Sequence, residues 1–263
     1  SFSGADYSIS FENVRFAYQE KEVLHGISFQ AAPGSLTALV GESGSGKSTL
    51  AKLLVHYYDV TGGAIRIGGQ SLTDMSVESL NRQISYVSQE QFLFNISLLE
   101  NIRLGKPEAS DEEVMAAARK AQCGEFLSRL PEGIHTLAGD GGKQLSGGER
   151  QRISLARAIL KDAPIVVLDE ATAFMDPENE EKMNEAIGEV IQGKTVIVIA
   201  HRLYSIIGAD HICVLEQGRL ADMGTHEELL NRCEAYRKLW HAAESSARWA
   251  VKSDALTQEG EVL

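Results

Sequence analysis

The stretch GESGSGKST, residues 41–49, constrains the fold more than any other part of this sequence. It follows the apolar run SLTALV and leads into KSTLAKLLVHYY, whose apolar spacing is helical. A strand, a glycine-rich loop and a helix in this order form a phosphate-binding βα unit. The alternative is a glycine-rich turn that binds nothing. The apolar strand before the loop and the helix after it favour a nucleotide site.

Each residue type in this loop has a chemical reason to be there. Glycines let backbone N–H groups converge on phosphate oxygens, and the helix adds its positive N-terminal end. Lys47 is expected to reach the β- and γ-phosphates, Ser48 to coordinate Mg²⁺ through its hydroxyl, and Thr49 to contact the α-phosphate. The residues predicted to bind nucleotide here are Gly41, Ser43, Gly44, Ser45, Gly46, Lys47, Ser48 and Thr49.

A second candidate for phosphate chemistry is the strand IVVLDE, residues 165–170, which ends in two carboxylates. Adjacent strand residues point to opposite faces, so the two are expected to act differently. Asp169 would hold Mg²⁺, and Glu170 would face the γ-phosphate and polarise the attacking water. The alternative is a polar strand end that caps the next element. A phosphate loop in the same chain favours the catalytic interpretation.

His201 follows the next apolar strand, TVIVIA. It is either a solvated loop histidine or a hydrogen-bond donor to the γ-phosphate at the carboxyl end of a strand. The residues alone leave these two interpretations open.

LSGGERQR, residues 145–152, also has the features of an anion site. Ser146 and the glycines Gly147 and Gly148 stand where a helix is expected to begin, and a helix N-terminus attracts anions. It carries no lysine equivalent to Lys47. The stretch is therefore suited to complete a phosphate site that begins elsewhere.

The remaining pattern is that of an α/β protein with an insert. The apolar pattern predicts strands over residues 7–40 and helices over residues from about 96 to 160. IVVLDE and TVIVIA predict buried strands, and a helix is expected between them from about 177 to 191. HICVLEQGRLADMG predicts a hairpin.

The C-terminal part is expected to close with one helix. THEELLNRCEAYRKLW predicts a helix that begins at Thr225, and Glu228 completes a capping box. Beyond Trp240 the pattern weakens, so residues 241–263 are predicted to be a tail that is disordered in part.

Composition excludes several classes of protein. The net charge of −12 and the pI of about 5.1 argue against a nucleic-acid-binding surface. The three cysteines have no CxxC spacing, which argues against a disulfide framework and a zinc site and fits a reducing cytosol. No apolar run approaches the roughly 20 residues that span a bilayer.

GESGSGKST, IVVLDE and LSGGERQR occur in an order that resembles the ATP-binding-cassette (ABC) ATPases, over roughly residues 7–240. The resemblance implies an α/β fold: a RecA-like P-loop NTPase core, an N-terminal antiparallel β-subdomain and an inserted α-helical subdomain at about 96–160. It implies an ATPase domain over residues 1–240, with ATP and Mg²⁺ as cofactors.

The resemblance also assigns roles to individual residues. Tyr18 resembles the aromatic residue that stacks on adenine, and Gln89 resembles the glutamine that senses Mg²⁺ beside the groove where a membrane domain docks. His201 resembles the switch histidine, and this resemblance favours the hydrogen-bond donor to the γ-phosphate over the solvated loop histidine. In this family two cassettes pack head to tail. The signature residues Ser146, Gly147, Gly148 and Glu149 would then close over the nucleotide of a partner cassette.

Within the ABC family, the chain is expected to belong to the branch of exporter-fold transporters. The chain lacks the long coiled coil of DNA-repair relatives and the zinc-binding cysteines of excision-repair relatives. The resemblance therefore implies a translocase at the cytoplasmic face of the membrane, with transmembrane domains fused upstream and no nucleic acid. The form AFxDPENE at 173–180 resembles a branch associated with bacterial siderophore uptake, so the cargo is expected to be a metal–siderophore complex. The alternatives are a regulatory cassette without turnover and a soluble DNA-maintenance ATPase.

The sequence departs from the family pattern at three places. Asp140 fills an acidic position before the signature, but Gly141 stands where an arginine is usual. Ala173 replaces the usual serine after the acidic pair, and Glu149 replaces the usual glutamine of the signature. A carboxylate at 149 is expected to repel a partner's phosphates modestly, with activity retained.

Overall fold

The computed structural model describes residues 6–169, 177–200 and 202–245. The strands are β1 (Ile9–Tyr18), β2 (Lys21–Ala31), β3 (Leu36–Val40), β4 (Gly62–Ile67), β5 (Gln70–Ser71), β6 (Ile84–Val87), β7 (Ile165–Asp169), β8 (Thr195–Ile199), β9 (His211–Glu216) and β10 (Arg219–Gly224). The helices are α1 (Lys47–Leu54), α2 (Val77–Gln83), α3 (Leu98–Arg103), α4 (Asp111–Lys120), α5 (Gly124–Arg129), α6 (Gly147–Lys161), α7 (Pro177–Ile191) and α8 (His226–Arg232). A final helix covers 234–245.

The central layer is a six-stranded sheet with the order β10-β9-β3-β8-β7-β6. Neighbours from β9 to β6 are parallel, and β10 joins the edge as an antiparallel hairpin partner of β9. The parallel strands are continuous apolar runs because helices cover both faces of the sheet. All parallel strands end at the same edge: the phosphate loop follows β3, Gln89 follows β6, and Asp169 is the last residue of β7.

A second, antiparallel sheet has the order β2-β1-β4-β5. Its register pairs Ile9 with Ala31 and Phe11 with Phe29, whose rings stack at 4.4 Å. This is the N-terminal antiparallel subdomain that the sequence predicts, and the predicted α/β class with a helical insert is confirmed with it.

Side-chain alternation along the central strands separates two cores. Val166 and Leu168 of β7 belong to the core that contains α6 and α7. Ile165 and Val167 belong to the other core, which contains α1 and the antiparallel sheet. The helix after the phosphate loop and the helix of LSGGERQR therefore cover opposite faces of the sheet.

The helical insert consists of α3, α4, α5 and the first part of α6, and α6 packs against α3, α4 and α7. Buried Asn101 ties the insert together: its side chain bonds the backbone of Phe94 and Ile96. Arg157 of α6 donates to the Asn101 carbonyl and to Asn101 Oδ1, both at 2.6 Å. The loop after Gln89 is thereby fixed to α6.

The closing segment differs from the prediction of a single helix. Thr225 caps α8 with Glu228 in a capping box, as predicted, but the helix ends at Arg232. Cys233 has extended dihedral angles (φ −100°, ψ 109°) and is buried, and a new helix then runs over 234–245. The break turns Tyr236, which is fully buried, into the core. Tertiary packing has overridden a helical pattern.

Part of the predicted tail is helical, because residues 241–245 continue the final helix. Residues 246–263 lie outside the described residues. Across the described ranges, no helix is long and apolar enough to span a bilayer.

Candidate nucleotide-binding site

The glycine-rich loop joins β3 to α1 at the carboxyl edge of the central sheet. A Cβ on Gly41 would lie 2.3 Å from the Leu215 carbonyl oxygen, so only glycine fits there. Gly46 caps α1 at φ 107°, a left-handed conformation that side chains disfavour. The loop is therefore held in a shape that its glycines alone permit.

Lys47 lies inside this loop. Its Nζ donates to the carbonyl oxygens of Gly41 (2.7 Å) and Glu42 (2.9 Å), and a third bond joins Ser45 Oγ at 3.3 Å. Burial lowers the pKa of Lys47, and the carboxylate of Asp169 acts in the opposite direction. The ammonium is thus a preorganised cation with a carboxylate in electrostatic range.

The other loop residues divide by exposure. Ser43 and Gly44 are exposed at the tip, whereas Ser45 and Thr49 are buried. Ser48 is half-buried in the first turn of α1. The predicted phosphate-binding residues are therefore contiguous around one helix N-terminus.

Asp169 is the last residue of β7 and is buried. Alternation after Val167 directs it to the face that α1 covers. The phenol of Tyr86, on neighbouring β6, lies within electrostatic range of the Asp169 carboxylate. Burial, and secondarily the charge of Asp169, raises the pKa of Tyr86 to about 12. Tyr86 remains a neutral donor at neutral pH.

Sequence reasoning missed Tyr86 because its role depends on which strand lies beside β7. The register pairs Tyr86 with Val167, so the two strands bring the phenol alongside Asp169. The signal available in the sequence was a polar-tipped aromatic residue inside an apolar strand, three residues before Gln89.

Gln89 is exposed and follows the end of β6 by two residues. Because β6 and β7 are parallel neighbours, their carboxyl ends meet at one edge. Gln89 and Asp169 therefore lie at the same edge of the sheet as the phosphate loop.

Glu170 and His201 lie outside the described residues, as does the stretch 171–176 with its Ala173 departure. Their neighbours in sequence are described: Asp169 ends β7, and Ala200 directly follows β8. The roles of Glu170 and His201 stay predictions.

Tyr18 is the last residue of β1 and is 38% exposed. Phe16, two residues earlier, pairs across the sheet with Leu24. A Cβ on Gly46 would lie 2.5 Å from Leu24 Cδ2, so β2 touches the phosphate loop. The end of β1 is thus connected to the loop through two packed residues.

Ser146 is the N-cap of α6. Its Oγ accepts from Glu149 N at 3.2 Å, and Glu149 Oε2 accepts from Ser146 N at 2.8 Å. This capping box holds the helix end, while Ser146 and Gly147 stay exposed. Because α6 and α1 cover opposite faces of the sheet, the exposed end is separate from the phosphate loop of the same chain.

Glu149 is mostly buried in this arrangement, with 18% of its side chain exposed. Its carboxylate also pairs with Arg129 of α5 at 3.3 Å. The sequence predicts that the Glu149 carboxylate repels a partner's phosphates. In the structure this carboxylate bonds the first turn of its own helix and pairs with the Arg129 guanidinium, which offsets its charge. Gly141, which replaces an arginine, has φ 64° in a short turn beside exposed Asp140.

A protein-family model described as ABC transporter matches residues 24–173. That range is more than half of the chain and runs from the strand beside the phosphate loop through Asp169. The chain belongs to the ABC transporter family.

Relatives within this ABC family include proteins with different cargoes in their names. The mycobactin import ATP-binding/permease protein IrtA of Mycolicibacterium smegmatis is 48% identical over 241 residues, which are 91% of this chain and 28% of that protein. An ATP-dependent lipid A-core flippase of Alkalilimnicola ehrlichii is 48% identical over 234 residues, 88% of this chain and 40% of the relative. The chain thus spans less than half the length of either.

A solved structure of a bacterial Atm1-family ABC exporter with ATP bound has the same fold. It aligns with a TM-score of 0.85 and 42% sequence identity, covering 92% of this chain and 44% of the other. ABC ATP-binding domains are ATPases, so this chain is placed in that class of enzyme, with ATP as the nucleotide that the domain binds.

Proposed function

We propose that the chain is the ATPase domain of a membrane transporter, which hydrolyses Mg·ATP in a head-to-tail dimer with a second ABC ATPase domain. One observation carries this proposal. The phosphate-loop helix α1 and the signature helix α6 lie on opposite faces of one sheet, which separates the exposed Ser146 end from the phosphate loop of its own chain. A second domain in the opposite orientation supplies the missing half to each site.

The residues around the loop fit Mg·ATP. Lys47 provides a fixed cation beside the phosphates, and the buried Asp169 carboxylate, the Ser48 hydroxyl and the Gln89 amide provide oxygen ligands for Mg²⁺. Such a sparse set suits Mg²⁺, which retains water and takes phosphate oxygens as further ligands. When bound, the ion neutralises charge that develops on the phosphates.

The proposed reaction is in-line attack of water on the γ-phosphorus. Glu170 orients the water and accepts its proton, and His201 donates a hydrogen bond to the γ-phosphate. Lys47 offsets charge on the transferred group. Tyr86, whose phenol lies beside the Asp169 carboxylate, is proposed to keep that carboxylate in place. The bond from the γ-phosphorus to the β–γ bridging oxygen breaks, and ADP and phosphate leave.

In the proposed dimer, the partner contributes the N-terminal end of its helix α6 to the phosphate site. The first N–H groups of α6 beyond its capping box, with the bare backbone of Gly147 and Gly148, form an anion-binding end. ATP then joins the two domains, and hydrolysis separates them. Because the Glu149 charge is offset by Arg129, the helix end remains suited to a phosphate.

We propose that ATP hydrolysis drives transport by transmembrane domains that are fused upstream of this chain, and that the ATPase domain lies on the cytoplasmic face of the membrane. The names of the relatives support this, since they read ATP-binding/permease protein and flippase and the relatives are longer. Identity to their ATP-binding parts does not select a cargo, because two cargo classes give the same 48%. Within that choice, a metal–siderophore complex is the cargo we propose, on the AFxDPENE stretch at residues 173–180.

The proposed function is tested by Mg²⁺-dependent phosphate release from ATP. The full 263-residue chain is expected to hydrolyse ATP, and Lys47→Ala is expected to lose at least about two orders of magnitude in rate because the phosphates lose their cation. Double-stranded DNA is expected to leave the rate unchanged. No hydrolysis by the wild-type dimer would indicate a regulatory cassette, and stimulation by DNA would indicate a DNA-maintenance ATPase.

Replacing Tyr18 with alanine tests the adenine site. The change removes a stacking face worth on the order of 1 kcal/mol, so ATP should bind several-fold more weakly while kcat at saturating ATP stays nearly unchanged. Titration calorimetry and steady-state kinetics measure the two quantities. Tyr57→Ala removes a more exposed tyrosine whose ring contacts Tyr86 rather than Tyr18, and it serves as the control. An unchanged affinity for ATP in Tyr18→Ala would refute the assignment.

A further inference from the structure

Three aromatic rings meet at the end of β1, and we name this group the aromatic corner: Phe16, Tyr18 and Tyr58. The Tyr18 ring lies 4.7 Å from Phe16 at 89° and 5.5 Å from Tyr58 at 86°. Phe16 and Tyr58 also contact one another at 5.6 Å. Phe16 is buried, whereas Tyr58 is 44% exposed.

Tyr58 is brought to this corner by the segment that begins with the phosphate loop. After α1 ends at Leu54, the chain turns at His56, which has φ 61°. The turn is fixed by the bond from Tyr57 N to the Lys52 carbonyl at 2.9 Å. A contact of 2.8 Å between His56 Nε2 and Asp59 Oδ1 closes it on the other side.

The far end of the same turn is attached to β1. Thr61 N donates to the Arg15 carbonyl oxygen at 2.9 Å, three residues before Tyr18. Tyr58 therefore stands between two backbone attachments, one to α1 and one to the strand that carries Tyr18. The residues from Lys47 to Thr61 therefore connect the phosphate loop to the aromatic corner.

From this geometry we infer that Tyr58 is a positioning residue for the nucleotide base, which holds the Tyr18 ring in the orientation that accepts adenine. The inference rests on the proposed function, in which Tyr18 stacks on the base. A tyrosine at an exposed strand end has free rotamers, and ordering it on binding costs affinity. Perpendicular contacts with Phe16 and Tyr58, which also contact each other, remove that freedom before the base arrives.

The adjacent tyrosine provides a matched comparison. Tyr57 is 62% exposed and contacts Tyr86 at 6.0 Å, not Tyr18. Tyr57 and Tyr58 thus share residue type, turn and solvent exposure, but only Tyr58 belongs to the aromatic corner.

The test compares ATP with inorganic tripolyphosphate, which has the phosphates but no base. In the full chain, Tyr58→Leu is expected to weaken ATP binding about two- to tenfold, the value of an edge-to-face pair, and to leave tripolyphosphate binding and kcat unchanged. Tyr58→Phe retains the ring and is expected to bind ATP like the wild type. Tyr57→Leu is expected to change neither ligand's affinity. Titration calorimetry measures the affinities of the wild type and the three variants for both ligands, and steady-state kinetics measures kcat.

Three results would overturn the inference. Equal weakening of ATP and tripolyphosphate by Tyr58→Leu would mean that the residue supports the loop, and unchanged ATP affinity would mean that Tyr18 is ordered without it. In a Tyr18→Ala background, Tyr58→Leu should have no further effect on ATP, and an additive effect would contradict a role through Tyr18. If Tyr18→Ala weakens ATP binding and Tyr58→Leu does not, this inference alone fails. If Tyr18→Ala has no effect, the base site of the proposed function fails.

Discussion

Glu170→Gln is expected to lower kcat for ATP hydrolysis by about 10² to 10⁴-fold, the contribution of a positioned general base. The amide fills the same space as the carboxylate but cannot accept the proton of the attacking water. ATP binding should persist, because the phosphate loop and Lys47 are untouched. A dimer that forms with ATP and separates only on hydrolysis should therefore accumulate in this variant.

The measurement is phosphate release combined with sedimentation in the presence of Mg·ATP. Glu185→Gln, an exposed glutamate on α7, makes the same chemical change away from the site and should match the wild type in rate and mass. Wild-type turnover by Glu170→Gln would remove Glu170 as the base.

Ser146→Arg is expected to give the second large effect, a loss of about 10² to 10³-fold in kcat. The substitution puts a long side chain over the α6 end that is proposed to meet the partner's phosphates. The phosphate loop of the same chain is unchanged, so ATP should bind the monomer with wild-type affinity. This separation of binding from turnover follows only if the site is shared between two chains.

Ser110→Arg provides a matched control for the loss of a helix cap. Ser110 Oγ accepts from Glu113 N at 3.3 Å, and Glu113 Oε2 accepts from Ser110 N at 2.8 Å, the same capping box as at Ser146. Each substitution should cost about 1 kcal/mol of folding stability. Only the Ser146 variant should lose ATPase activity. Equal activity in the two variants would place the signature serine outside the catalytic site.

Much of the fold could be predicted from local pattern. The apolar runs before the glycine loop and before Asp169 specified buried parallel strands, because their side chains must be apolar on both faces. The helical insert followed from spacing and caps, and Thr225 with Glu228 marked the start of α8. The motif order was sufficient to identify the family, which the family match confirms.

What the sequence could not predict depends on contacts between distant segments. The approach of Tyr86 to Asp169 requires that β6 lie beside β7, and the aromatic corner requires that the α1 turn reach β1. Glu149 was expected to face a partner's phosphates. Its pairing with Arg129 depends on where α5 lies, which no local pattern specifies. The break at Cys233 has the same origin, since burial of Tyr236 decides it.

The shared site is tested most directly by the concentration dependence of ATPase activity in the wild-type chain. At saturating Mg·ATP and concentrations where sedimentation detects mainly monomer, the specific activity should rise in proportion to protein concentration and then level off as dimers form. A specific activity that stays constant while the chain remains monomeric would show that one chain completes the site alone, and would contradict the head-to-tail account.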